Sequence, residues 1–162
     1  MSSAATPRPH EGETEDQRLD RNWGELLQEL RVAQTGVQIL TGFLLTLPFA
    51  ARFTELSTYQ HYVYLAVLAG SVLSTGLLVA PVVYHRLLFR HGLRTWIVAQ
   101  AHRSTTAGLA ALGLTIVGVA FFVFDVVLNL TAASIAAGLT LLFYLLVWGL
   151  GPARLRSAAR AR

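Results

Sequence analysis

Residues 104–124 read STTAGLAALGLTIVGVAFFVF, 21 positions without a charge or a histidine. A hydrocarbon core about 30 Å thick is crossed by about 20 apolar residues in helical form. This stretch therefore has the length and chemistry of one membrane crossing. Three more stretches share its character. Val32–Ala51 gives 20 residues between charges, Tyr62–Tyr84 gives 23 and Val126–Ala153 gives 28, so that the four runs hold 92 of 162 residues. A membrane β-strand needs only about 10 residues of alternating polarity, and the runs do not alternate. The sequence predicts an all-α four-helix transmembrane bundle with spans at about 32–52, 62–84, 104–126 and 130–151.

Composition agrees. The chain is 54% hydrophobic and 14% charged, whereas a soluble domain carries about a quarter charged residues. It has no cysteine, which excludes disulfides and thiol chemistry. The first run starts after residue 30 and lacks a small-residue cleavage site, so it reads as a span and not as a secretory signal.

All 13 basic residues are arginine. Four precede the first span (Arg8, Arg18, Arg21, Arg31), four lie between spans two and three (Arg86, Arg90, Arg94, Arg103) and four follow the last span (Arg154, Arg156, Arg160, Arg162). Only Arg52 falls in the first outer loop, a tally of 12 against 1. Loops rich in arginine stay cytoplasmic, which predicts a multi-pass membrane protein with both termini and the central loop inside. The aromatics Tyr59, Tyr62, Tyr64, Tyr84, Trp96 and Trp148 stand near span ends, as interfacial aromatics do.

The flanks divide further. Residues 1–16 carry one arginine against four acids, a net −3 that leaves +7 on the rest of a chain whose total is +4. Low hydrophobicity with Pro7 and Pro9 reads as a disordered cytoplasmic tail. In residues 17–31, Leu19, Trp23, Leu26, Leu27 and Leu30 recur at helical spacing, an amphipathic helix with balanced charges on its other side. A typical interfacial helix is basic on its polar face and this one is balanced, so a partner-packing helix and an interfacial one both stay open. The basic segment His85–Arg103 reads as a second amphipathic helix, with Arg86, Arg90 and Arg94 every four residues, and residues 154–162 form a basic tail. Glu25 and Glu29 make an acidic stripe of the same spacing. Two readings stay open: the stripes meet at the cytoplasmic face, or the arginines contact anionic lipid while the glutamates are solvated. Topology and lipid account for the arginines, so no nucleic-acid partner is expected.

Polar groups within a bilayer need partners. By helical rise, Gln38 lies about 9 Å from the cytoplasmic end of its span and Ser74 and Thr75 about 18–20 Å from the outer end of theirs. Those depths coincide, so Gln34, Gln38, Ser74 and Thr75 form a candidate intramembrane contact, either a polar pathway or interhelical glue. Asp125 is the only acid in the apolar runs. It falls at the outer level of Arg52, and an ion pair between them is expected, with a proton or cation site as the alternative. Patterns such as Gly70-x-x-x-Ser74, Ala107-x-x-x-Ala111, Ala133-x-x-x-Ala137 and Ser134-x-x-x-Gly138 mark closely packed helices. Pro48 and Pro81 stand near span ends, where kinking or ending a helix is cheap.

Chemical machinery is not legible. His10, His61, His85, His91 and His102 avoid mid-membrane positions and do not pair at i, i+4, so neither haem nor zinc is expected, nor any other cofactor. There is no Gly-rich phosphate loop and no Gly-x-Ser-x-Gly elbow. The expectation is a non-enzymatic accessory or partner-docking module. Its partners would be the bilayer and either further copies of itself or another membrane protein. The alternative is a small oligomeric cation or proton transporter or channel.

Two segments, ELLQELRVAQTGVQILTGFLL at 25–45 and APVVYHRLLFR at 80–90, resemble an uncharacterised family of small four-span proteins of high-GC Gram-positive bacteria. The resemblance covers about residues 15–152. It implies a four-span protein whose shared positions are Glu25, Glu29, Arg31, Gln34, Gln38, Pro81, His85, Arg86 and Arg90. Some of its members are labelled sodium:proton antiporters; this chain has no paired mid-membrane acids.

Overall fold

A computed structural model describes residues 14–88 and 94–150. Four helices carry the fold: α1 (Glu15–Thr46), α2 (Thr58–Leu88), α3 (Arg94–Val127) and α4 (Leu130–Tyr144). Two short 3₁₀ turns, Leu47–Phe49 and Ala51–Glu55, join α1 to α2, and α4 runs on into a π-helical turn, Leu145–Leu150. Each helix contains a stretch long and apolar enough to cross a membrane: Gly24–Phe49, Thr58–Tyr84, Ile97–Val127 and Leu130–Gly149. The all-α four-helix architecture read from the apolar runs is the architecture found, that of a multi-pass membrane protein.

Local chemistry sets the ends. Thr14 and Gln17 form a capping box at the start of α1: the Thr14 hydroxyl accepts from the Gln17 N–H, and the Gln17 side chain accepts from the Thr14 N–H. Pro48 occupies the first turn of the 3₁₀ segment where α1 stops; it has no N–H to continue an α-helix. Ser57 and Gln60 repeat the capping box before α2. Asn129 caps α4, its side-chain oxygen accepting from the Ala132 N–H at 3.0 Å.

The boundaries differ from the expected ones in three places. First, the amphipathic segment 17–31 and the first span are one unbroken helix of 32 residues, about 48 Å long at 1.5 Å per residue. The helix ends at Thr46, short of Arg52. Second, the basic segment between spans two and three is carried on helix ends: Arg86 belongs to α2 and Arg94 opens α3, so they share no helical stripe. The reason is burial. Ile97, Ala101, Ser104 and Gly108 fall on one face of α3 and are all buried, which extends that helix well before residue 104. Third, Pro81 lies inside α2, fully buried, without ending it. The expected disordered tail falls almost wholly at residues 1–13, outside the described residues, as do Arg90 and the basic tail 154–162.

Neighbouring helices run antiparallel. From one end of the molecule to the other, α1 meets α2 at Gln34–Leu78 and then Leu44–Tyr64. Over the same distance α2 meets α3 at Ser74–Gly108 and then Gln60–Asp125. The α2–α3 pair is central, α1 packs mainly on α2, and α4 packs on α3. One end thus collects the start of α1, the end of α2, the start of α3 and the exit of α4. This is called the terminal end here, and the opposite one the far end.

Two apolar clusters hold α1 to the pair. Near the far end, Leu44, Tyr64, Val67 and Phe122 are buried together, and the rings of Phe53 and Tyr64 meet edge to face at 5.1 Å. Toward the terminal end, Leu30, Val37 and Leu78 form the second cluster. Between α2 and α3 the backbones approach closely. A Cβ on Gly70 would stand 2.6 Å from the Thr115 hydroxyl, and one on Gly108 would stand 2.9 Å from Leu78 Cγ. A side chain at either position would force Thr115 or Leu78 to shift, and Gly70-x-x-x-Ser74 lies on this seam, with Ser74 donating to the Gly108 carbonyl. Ala107 and the Ser134/Gly138 pair are exposed instead.

Candidate functional site

Three polar groupings are placed by this frame, at three depths. The first lies in the membrane-spanning layer between α1 and α2, where an open cleft of about 350 Å³ is lined by Gln34, Gln38, Thr41, Gly42, Leu45, Thr75 and Val79. Gln34 reaches across it, its Nε2 donating to the Leu78 carbonyl at 2.9 Å. That carbonyl lies in the turn before Pro81, where the missing proline N–H leaves the Leu77 carbonyl without its usual helical donor. The contact expected between Gln38 and the Ser74/Thr75 turn is therefore made one helical turn away, by Gln34. Ser74 instead faces α3 and donates to the Gly108 carbonyl at 2.8 Å, while the Thr75 hydroxyl donates back to the Ser71 carbonyl at 2.8 Å. Gln38 and Thr75 share the cleft without a hydrogen bond. Gln38 and Thr75 thus stand at a common depth, but the facing of each side chain depends on rotation about the helix axis.

The second grouping closes the far end. Asp125, half-buried, accepts from Gln60 Nε2 at 3.0 Å. Arg52 pairs with Glu55 at 3.7 Å, both well exposed. The expected Arg52–Asp125 ion pair is not formed. Because α1 ends at Thr46, Arg52 falls in a 3₁₀ turn, beside Phe122 and Val126 of α3, and pairs with Glu55 of the same turn, whereas the capping box holds Gln60 over Asp125. Sequence reasoning missed Gln60, although Ser57-x-x-Gln60 at the start of an apolar run is a readable capping signal. Tyr64, expected as an interfacial aromatic, is buried, and its hydroxyl donates to the Leu44 carbonyl at 3.0 Å.

The third grouping is the charged terminal end. Glu25, Gln28, Glu29 and Arg31 on α1 are exposed, as are Arg86 on α2 and Arg103 on α3. Arg21 and Glu25 form an i, i+4 pair at 3.7 Å, and Arg103 donates to Gln100 at 3.4 Å. Among the described residues no ion pair joins Glu25 or Glu29 to Arg86. The side chains of His85 and Arg94, and all of Arg90, lie outside the described residues. Chemically, the acids and the arginines at this end offer charge to a surface outside the bundle.

No group of three or more His, Asp or Glu side chains lies together among the described residues. Comparison with known proteins finds no matching curated protein and no matching solved structure. The model of one family, described as a family of unknown function (DUF6328), matches residues 12–152, a stretch that takes in all four helices and all three polar groupings. The chain belongs to this family, DUF6328.

Proposed function

We propose that the chain is a non-enzymatic integral protein of the cytoplasmic membrane of a high-GC Gram-positive bacterium, acting as an accessory or docking module through its charged terminal end. The single observation that carries this reading is the continuity of α1. One helix from Glu15 to Thr46 joins a membrane span to a segment that packs on the bundle through Leu26, Leu27 and Leu30 while Glu25, Gln28, Glu29 and Arg31 are exposed. A helix that projects charge on a fixed stem suits recognition of another protein's charged surface. The arginine tally of 12 against 1 supports a cytoplasmic position for this end, where Arg86 and Arg103 would meet anionic lipid.

A photo-crosslinking residue at Gln28, with one at lipid-facing Leu139 as comparison, tests the reading in intact cells. A discrete protein adduct from position 28, absent from 139 and abolished by Glu25→Arg with Glu29→Arg, is the expected result. Lipid adducts alone from both positions would overturn it.

The second reading is an oligomeric cation or proton transporter, the activity that the antiporter label implies, and the presence of Gln34, Gln38, Thr41 and Thr75 in one open, otherwise apolar cleft favours it. Proteoliposomes under sodium, potassium and pH gradients would decide: flux lost in a folded Gln38→Ala or Asp125→Asn variant supports transport, and absence of flux in oriented protein supports docking.

A further inference from the structure

The exposed side of α1 carries a polar group that a single copy leaves incomplete. Thr35, Gln38, Gly42 and Thr46, three or four residues apart, follow one helical face and are all exposed. The two threonine hydroxyls are satisfied within their own helix, Thr35 donating to the Arg31 carbonyl and Thr46 to the Phe43 carbonyl. Gln38 is not. Its amide has two donors and an acceptor, and no partner for it exists among the described residues. Its polar neighbours on α1 and α2 direct their donors elsewhere: Gln34 to the Leu78 carbonyl, Ser74 to the Gly108 carbonyl and Thr75 to the Ser71 carbonyl of its own helix.

Depth makes this decisive. Gln38 stands midway between buried Leu30 and the helix end at Thr46, about 12 Å from each at 1.5 Å per residue. That position lies well inside the candidate span Gly24–Phe49, within a hydrocarbon layer about 30 Å thick, where an amide left without a partner is costly.

We propose that the missing partner is Gln38 of a second copy of this chain, and that two copies dimerise through this face of α1. Copies inserted with one topology share a twofold axis along the membrane normal, which sets α1 parallel to α1 and brings each residue opposite itself at one depth. A primary amide is self-complementary, so two glutamines so placed exchange N–H···O=C bonds in both directions. A different partner would need its own polar group at this depth; a second copy has one by symmetry. One turn on, Gly42 has open space where a side chain would stand, which lets the two backbones approach. Ile39 and Phe43 beside the stripe are 69% and 66% exposed, and the adjoining cleft of about 350 Å³ gives room for one such side chain from the partner. This surface is separate from the charged terminal end, and its failure would leave the docking reading intact.

The chain has no cysteine, so single-cysteine variants report directly. In proteoliposomes at low protein-to-lipid ratio, Gly42→Cys is expected to form disulfide-linked dimers roughly tenfold faster than Leu139→Cys on the lipid face of α4. Gln38→Leu in the Gly42→Cys background should lower the association constant roughly threefold to tenfold, with helicity by circular dichroism unchanged, and Gln38→Asn should recover part of it. Equal cross-linking at positions 42 and 139 would overturn the proposal. So would association unchanged by Gln38→Leu, or single-molecule photobleaching that finds only monomers with a lipid or small polar molecule retained by the wild-type glutamine.

Discussion

Gln60 grips Asp125 at 3.0 Å while the same side chain caps its own helix, its Oε1 accepting from the Ser57 N–H at 3.0 Å. One amide therefore ties the start of α2 to the last turn of α3. The tie matters because a carboxylate near a helix C-terminus opposes the helix dipole, and a donor from the neighbouring helix offsets that repulsion.

Removing the acceptor should loosen this end. Asp125→Ala is expected to lower unfolding free energy by about 1.5 kcal/mol, the lower end for hydrogen bonds to charged groups because the site is half-buried. Asp125→Asn keeps a carbonyl acceptor and should cost less than half as much. Denaturant titration in micelles, followed by circular dichroism, reads both. Arg52→Ala should leave the midpoint unchanged, since the Arg52–Glu55 pair is well exposed. An equal loss for Arg52→Ala would instead tie Arg52 to Asp125.

Close approach of α2 and α3 predicts a steep dependence on side-chain size. Gly108→Val should destabilise by about 1–3 kcal/mol through overpacking, because a Cβ there meets Leu78 Cγ at 2.9 Å and Leu77 Cβ at 3.2 Å. Gly138→Ala, with nothing within 4 Å, should be neutral in the same titration.

The turn into α4 depends on one side chain. Asn129→Ala is expected to cost about 1 kcal/mol by leaving the Ala132 N–H uncapped, and Asn129→Asp should restore most of it. Hydrogen exchange at the first turn of α4 would localise the effect, and fast exchange elsewhere only would refute it.

The bond from Gln34 to the Leu78 carbonyl is a single interhelical contact in lipid. Gln34→Leu should therefore cost about 0.6 kcal/mol and no more than about 1.7, measured by steric trapping in bicelles. A larger loss would mean that the turn before Pro81 depends on this amide for its helical geometry.

Antiparallel helices predict sidedness. Single cysteines at exposed Gln28 and exposed Ser57 should react with impermeant thiol reagents from opposite faces of sealed vesicles, with position 28 protected in right-side-out cells. Labelling of both from one side would contradict a membrane-crossing α1.

Much of the frame was legible residue by residue. Apolar runs located four helices, and Pro48 stands at a real end. The charged segments misled because charge was read as the end of a helix. Helices outlast the bilayer wherever an apolar face has something to pack against, as Ile97 and Ala101 do on α3. At the sites, depth along each helix placed Gln38 level with Thr75, and both line one cleft. Which of them bonds to what was beyond reach, because neighbouring residues on a helix point about 100° apart and a one-position error turns a side chain from a neighbour toward lipid.

The amino-acid sequence by itself determined that this chain is built from four membrane-length helices, because a run of some 20 apolar residues has no stable place in water and its backbone can satisfy itself only as a helix. Only the tertiary structure decided which polar group meets which. Axial register and rotation are set where Gly70 and Gly108 let α2 and α3 close to contact. That contact turns Ser74 to α3, leaves Leu78 to Gln34 and holds Gln60 over Asp125, while Gln38 faces outward.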